Sequence, residues 1–309
     1  MKIGFVFSGQ GTQTVGMGKD LYEKYEEIKT VYKSASNILD IDIANLTFNT
    51  TEEELIQTKN TQIAILVMCL GILEILKKNK IEAEFVAGLS LGEYTALAYS
   101  EAIGFEDVIK IVRKRGELMQ DLAPKGKWNM VAILGLEDKL VEEICKRIGT
   151  GFAVPANYNY PGQVVISGDK LGIKQAIEIA KTSGAKRVIE LKAGGPFHTI
   201  KMLEASNTLR KELENINILN PKCMVIKNID AKEYSEKDNI KEILANHVIN
   251  PVRFSESIKY MINNGVDTII EIGPGKVLTG FIKKINNKVN TLNINNVESL
   301  ENVINLICR

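Results

Sequence analysis

The chain has 309 residues, 45% of them hydrophobic and 25% charged, which is enough apolar material for one large core and a second, smaller one. Its 39 basic and 38 acidic side chains leave a formal net charge of +1, which excludes a global pull toward nucleic acid or an anionic membrane surface. Cys69, Cys145, Cys223 and Cys308 form no C-x-x-C pair, which argues against a zinc site or a disulfide framework and fits reduced thiols in a cytoplasmic protein.

Residues 2–7 (KIGFVF) read as a first strand, too short for a signal-peptide core, running into the glycine-rich loop Ser8-Gly9-Gln10-Gly11. The apolar run 63–73 reads as a buried helix, about half the length needed to cross a bilayer. A short strand at 85–88 and helices at 93–100 and 105–122 complete an α/β first part. Pro124-Lys125-Gly126-Lys127 breaks the pattern. Beyond it the spacing predicts strands at 130–134, 152–156, 163–167 and 187–191 with helices at 138–148 and 171–183, a β-α-β-β-α-β order. Residues 157–162 supply turn chemistry between the second and third of these strands. After Gly194-Gly195-Pro196 the α/β pattern resumes with a helix at 200–213, a strand at 224–226, a helix at 240–246 and a strand at 268–272. The expected organisation is a core of residues 1–125 and 193–309 with residues 126–192 inserted as a ferredoxin-like unit, and a ligand cleft between them.

Ser90 lies in Gly88-Leu89-Ser90-Leu91-Gly92, a G-x-S-x-G pattern between a strand and a helix, where glycines at both ends let the chain turn sharply and expose the hydroxyl. Serine needs a base at neutral pH, and the chain offers only His198 and His247. His198 is favoured, because it follows the constrained Gly195-Pro196-Phe197, whereas His247 ends a helix, where a histidine often serves the helix carbonyls. Arg115 falls on the apolar stripe of Val108, Val112, Met119 and Leu122. A guanidinium there must find an anion. Taken alone, the residue is better explained by an internal Asp or Glu, or by a stem that packs while the head reaches solvent, than by a substrate carboxylate. The loops at 8–13 and 273–276 have the wrong spacing for a P-loop or a dinucleotide fingerprint. An N–H from one of them could join that of Leu91 in an oxyanion hole, while 273–276 reads first as a helix-initiating turn.

These segments together resemble the malonyl-CoA:acyl carrier protein transacylases. The matching stretches are FVFSGQGTQTVGMG at 5–18, GLSLGEYTALA at 88–98, RG at 115–116, NYNYPGQVVISG at 157–168, GPFH at 195–198, NPVRF at 250–254 and EIGPGKVLTG at 271–280. The resemblance implies an α/β-hydrolase-like core with the ferredoxin-like insertion. It makes Ser90 the acylated nucleophile, His198 its base, Gln10 and Leu91 the N–H donors to the oxyanion, and Arg115 the ligand of the malonyl carboxylate, reversing the balance on that arginine. A main-chain carbonyl, here that of His247, would orient the base. It further implies malonyl-CoA and acyl carrier protein as partners in fatty acid synthesis. No cofactor beyond the coenzyme A thioester substrate is expected, no nucleic acid, no membrane and no metal, and the chain should be a monomer. Leu89 replaces the histidine, and His247 the glutamine, usual in such proteins, and Phe197 is similar to malonyl-selecting members.

Two other functions use the same features. A serine hydrolase would use the same elbow, but would place an acid between serine and histidine and needs no carboxylate anchor. A non-catalytic subunit that docks carrier proteins would not need Ser90, His198 and Arg115 intact. An acidic carrier protein would require a local basic patch, for which Lys181, Lys186, Arg187, Lys192 and Lys201 are the candidates.

Overall fold

A computed structural model describes residues 1–124, 126–191 and 194–308. The expected unit boundaries fall on Lys125, Lys192 and Ala193, which, like the basic-patch candidate Lys192, lie outside the described residues.

Strand β1 (Ile3–Phe7) is followed by α1 (Lys19–Lys24), α2 (Glu26–Leu39), α3 (Ile43–Phe48), α4 (Glu52–Leu55) and the long α5 (Thr58–Lys78). Then come β2 (Phe85–Gly88), α6 (Gly92–Tyr99) and α7 (Phe105–Asp121). The next stretch holds β3 (Trp128–Leu134), α8 (Asp138–Lys146), β4 (Ala153–Tyr160), β5 (Gln163–Asp169), α9 (Lys170–Thr182) and β6 (Arg187–Glu190). A 3-10 turn at Ile200–Met202 leads into α10 (Leu203–Glu214), followed by β7 (Met224–Val225), α11 (Ile240–His247), α12 (Phe254–Asn263), β8 (Thr268–Ile272), α13 (Val277–Ile285), β9 (Asn290–Ile294) and α14 (Val297–Ile307).

Five strands form a parallel sheet in the order β7-β2-β1-β8-β9. The central strand β1 is paired on both edges and covered on both faces, so Phe5, Val6 and Phe7 are all fully buried and read as a continuous apolar run. Phe7 is level with Gly88 of β2 and Ile272 of β8, so the loops after these three strands leave the sheet side by side. In open parallel sheets this carboxyl edge is where ligands bind.

The second sheet is antiparallel with the order β4-β5-β3-β6. The expected turn at 157–162 is shorter than its composition suggests. Asn157 to Tyr160 belong to β4, whose pairing with β5 shifts register between Pro155 and Asn157 and again between Tyr158 and Tyr160, leaving Pro161 and Gly162 as the turn. The extra strand residues serve the other sheet's unit: Tyr158 N–H donates to Val252 O at 2.8 Å, and Val252 N–H to Ala156 O at 2.8 Å.

The apolar run at 63–73 is the middle of α5, a 21-residue helix long and apolar enough to cross a bilayer. That apolar window is 89% buried inside the protein, packed between α2 and α7. Each large side chain such as Ile63 or Leu66 buried in this way contributes about 1.5–3 kcal/mol.

Candidate active site

The turn from β2 into α6 carries Ser90 with a φ of +55°, a left-handed conformation that a serine holds only when its surroundings fix it. A Cβ on Gly88 would lie 2.0 Å from the Gly92 carbonyl carbon, and one on Gly92 would lie 2.3 Å from Phe7 O. Only glycine fits at either end. Asn228, buried in the loop after β7, completes the clamp: its Oδ1 accepts from Ser90 N–H at 2.7 Å and its Nδ2 donates to Gly88 O at 2.7 Å.

His198 Nε2 is 2.8 Å from Ser90 Oγ. Its Nδ1 lies 3.0 Å from His247 O and 3.1 Å from Asn250 O. Carbonyls only accept, so Nδ1 carries the proton and Nε2 presents its lone pair to the serine hydroxyl. Burial, and then the nearby Arg115 charge, hold the His198 pKa down at about 4, against the pull of the two carbonyls. The resting imidazole is a neutral base. His198 too has a positive φ, +60°.

Arg115 is 1% exposed, and the structure corrects both ordinary explanations of it. No Asp or Glu forms an ion pair with it among the described residues, and its head does not reach solvent. Nη1 donates to Gln62 Oε1 at 2.7 Å and Nη2 to Ser90 Oγ at 3.0 Å, Nε has no partner among the described residues, and the guanidinium lies 5.4 Å from the Tyr94 ring centre. This is a buried cation held by neutral groups beside the nucleophile.

Ser90, His198 and Gln10 line a cleft of about 660 Å³ between the two sheets. Its far wall includes Met130, Ala132, Val165 and Ile189, with Asn159, whose buried Oδ1 has no partner among the described residues. The backbone N–H groups of Gln10 and Leu91 likewise donate to no acceptor among the described residues, and Leu91 immediately precedes α6. The loop at 273–276 leads into α13, whose first N–H groups are taken by the buried Glu271 carboxylate: Leu278 N–H at 3.0 Å and Thr279 N–H at 2.7 Å.

Behind the reacting pair lies a polar cluster that the sequence did not announce. Glu93 is fully buried, its Oε1 accepting from Tyr234 O–H at 2.6 Å and its Oε2 from Asn228 N–H at 3.1 Å. Burial raises its pKa to about 7, while these two hydrogen bonds pull the other way. His247 Nδ1 lies 3.4 Å from Glu93 Oε2, too poorly aligned to count as a hydrogen bond, and neither of its ring nitrogens has a partner among the described residues. Burial holds His247 well below the usual histidine range.

The fold and this site define an acyl transferase: the chain belongs to the acyl transferase domain family, whose profile matches residues 4–302. It is 42% identical over 302 residues to a malonyl CoA-acyl carrier protein transacylase of Bacillus subtilis, covering 97% of this chain and 95% of that one. The crystal structure of a malonyl CoA-acyl carrier protein transacylase from Clostridium perfringens superposes with a TM-score of 0.96 at 43% identity, covering 100% of this chain and 98% of that one. A malonyl-transacylase solved in complex with its type II PKS acyl-carrier protein superposes with a TM-score of 0.96 at 34% identity, covering 99% and 100%.

Proposed function

We propose that this protein transfers a malonyl group from malonyl-CoA to the phosphopantetheine thiol of an acyl carrier protein, in fatty acid synthesis, through a malonyl ester on Ser90. The observation that carries this reading is the 2.8 Å Ser90–His198 pair beside a buried guanidinium that has no carboxylate partner among the described residues. Ser90 Oγ attacks the thioester carbonyl as its proton moves to His198 Nε2, and the backbone N–H groups of Gln10 and Leu91 receive the oxyanion. The C–S bond then breaks and the departing sulfur takes the proton from His198. The carrier thiol enters the cleft and gives its proton to His198, its sulfur takes the malonyl group as the Ser90 ester bond breaks, and His198 returns the proton to Ser90 Oγ, so the kinetics are ping-pong. Arg115 holds the free carboxylate, releasing its bond to Ser90 Oγ as that oxygen is acylated.

In this reading the parallel-sheet unit, residues 1–125 and 193–309, is a hydrolase-like core, and residues 126–192 are a ferredoxin-like insertion that closes the cleft. The strand order of the antiparallel sheet supports the second assignment. The reaction uses no cofactor or metal, the thioester being a substrate, and the chain acts as a cytoplasmic monomer. The test is the intact-protein mass after brief incubation with malonyl-CoA and, separately, acetyl-CoA, for the wild type and Ser90→Ala. One malonyl adduct, on the wild type alone, is expected. No adduct with malonate accumulating would make the protein a hydrolase, and no adduct with no turnover would make it a docking subunit.

A further inference from the structure

We propose that Glu93 is a positioning residue that acts on the base through the His247 ring, so that its ionisation sets how readily His198 takes the Ser90 proton. The proposal rests on the reading of this site as an acyl-transfer centre. The His198 and His247 rings lie 4.9 Å apart, tilted by 39°, and Nδ1 of the far ring is 3.4 Å from Glu93 Oε2, within reach of its charge though not aligned as a hydrogen bond. The same carboxyl accepts from Asn228 N–H, and the Asn228 side chain holds Ser90 N–H. One buried group therefore stands behind both members of the reacting pair.

When Glu93 is ionised, its charge favours the neutral His247 tautomer with the proton on Nδ1, and a negative charge lies behind His198. When Glu93 is protonated, that charge is gone, and nothing among the described residues holds the neutral His247 ring to the Nδ1–H form. His198 becomes positive in the transition state, so the ionised form is the faster one. The other groups that bear on Glu93 are Tyr234, whose O–H bonds Oε1, Arg115 from α7, whose charge favours ionisation, and Asp230, whose charge opposes it. His247 stays neutral throughout, being deeply buried beside Arg115 and His198. Glu93 titrates at about 7 and His198 at about 4, which separates the two ionisations.

The experiment is the single-turnover rate of malonyl-enzyme formation, followed by quench and mass, from pH 5.5 to 8.5. In the wild type we expect a rise of about tenfold across an ionisation near neutrality. Glu93→Gln should lose the step and stay at the low plateau. His247→Gln, which keeps the main-chain carbonyl and removes the ring, should lose it too, and it carries the test if Glu93→Gln does not fold. Structural damage alone would lower the rate equally at every pH. A flat wild-type profile, or a step that survives in either variant, overturns the proposal while leaving acyl transfer intact. Failure of the wild type to form any acyl-enzyme overturns the transfer reading and this inference with it.

Discussion

Arg115 is the residue at which function and stability pull apart. A guanidinium buried among neutral partners is a cost to the fold, and its substrate-free hydrogen bonds to Gln62 and Ser90 offset only part of it. Arg115→Met should lower malonyl loading by about two to three decades relative to acetyl loading, the equivalent of losing a buried pair worth about 3–5 kcal/mol. Its thermal midpoint should not fall below that of the wild type, and a clear drop in that midpoint would mean the arginine is chiefly structural. Glu93 offers a second case, with a definite sign. Its pKa rises from 4.5 to about 7 on folding, so the folded state binds more protons between those values and stability falls as pH rises through that window. The loss approaches ~3 kcal/mol above neutrality. His198 has the opposite sign, its pKa falling from 6.5 to about 4, so it contributes stability that grows as pH rises through its own window. The difference in unfolding free energy between wild type and Glu93→Gln isolates the glutamate, and should move in favour of the variant by a few kcal/mol between pH 4.5 and 7.5. A pH-independent difference would show that the carboxyl is ionised throughout.

The β2–α6 turn is the element on which everything else is mounted. Gly92 has Phe7 O where a Cβ would stand, whereas Gly280 in α13 has open space around it. Gly92→Ala should therefore cost about 3 kcal/mol or more and displace Ser90, while Gly280→Ala should stabilise by about 0.5–1 kcal/mol through helix propensity. Denaturant unfolding of the pair checks both, and equal effects would remove steric closeness as the reason for the elbow glycine. This element was legible in the sequence because its constraints are local: a glycine two residues either side of a serine, a buried strand before and small helix residues after. Arg115 was legible as a buried cation by helical spacing, but its neutral partners were not, since Gln62 comes from another helix. Asn228 left no signal, because it follows a two-residue strand and its contacts with Ser90 and Gly88 span about 140 positions of chain. Glu93 stood in the sequence only as the first residue of an expected helix, and its burial follows from the packing of Tyr234 and His247 over it, which come from distant segments. The Asn250 carbonyl that helps hold His198 belongs to the backbone and carries no residue signature.

At the scale of the whole molecule, two sheets meet at one cleft. Met130, Ala132, Ala156 and Val165 of the antiparallel sheet join the main core, and its other face holds a smaller core with α8 and α9. Strand β4 is tied to the segment after α11 by the backbone bonds around Val252. The small unit is thus pinned beside the serine, and its outer strand β6 forms part of the mouth. Side chains alternate along a strand, so Arg187 points to the same face as Ile189, which lines the cleft. Lys186 adjoins it, Lys181 lies at the end of α9, and Lys201 stands over the Phe152 ring at 5.0 Å, three residues after His198. With a net charge of only +1, the molecule has no long-range attraction for an acidic carrier, so any steering must come from such a local group. Exposed charges of this kind are screened over about 8–10 Å at physiological salt. Raising salt from about 0.05 to 0.3 M should therefore raise the KM for carrier protein several-fold. The KM for malonyl-pantetheine, which lacks both the protein and the nucleotide phosphates, should hardly move. Reversing two of these charges, Lys186→Glu with Arg187→Glu, should raise the carrier KM at low salt and abolish its salt dependence, with the rate of malonyl-enzyme formation unchanged. A salt-insensitive KM in the wild type would place the carrier on another face and leave the cleft to the prosthetic arm alone.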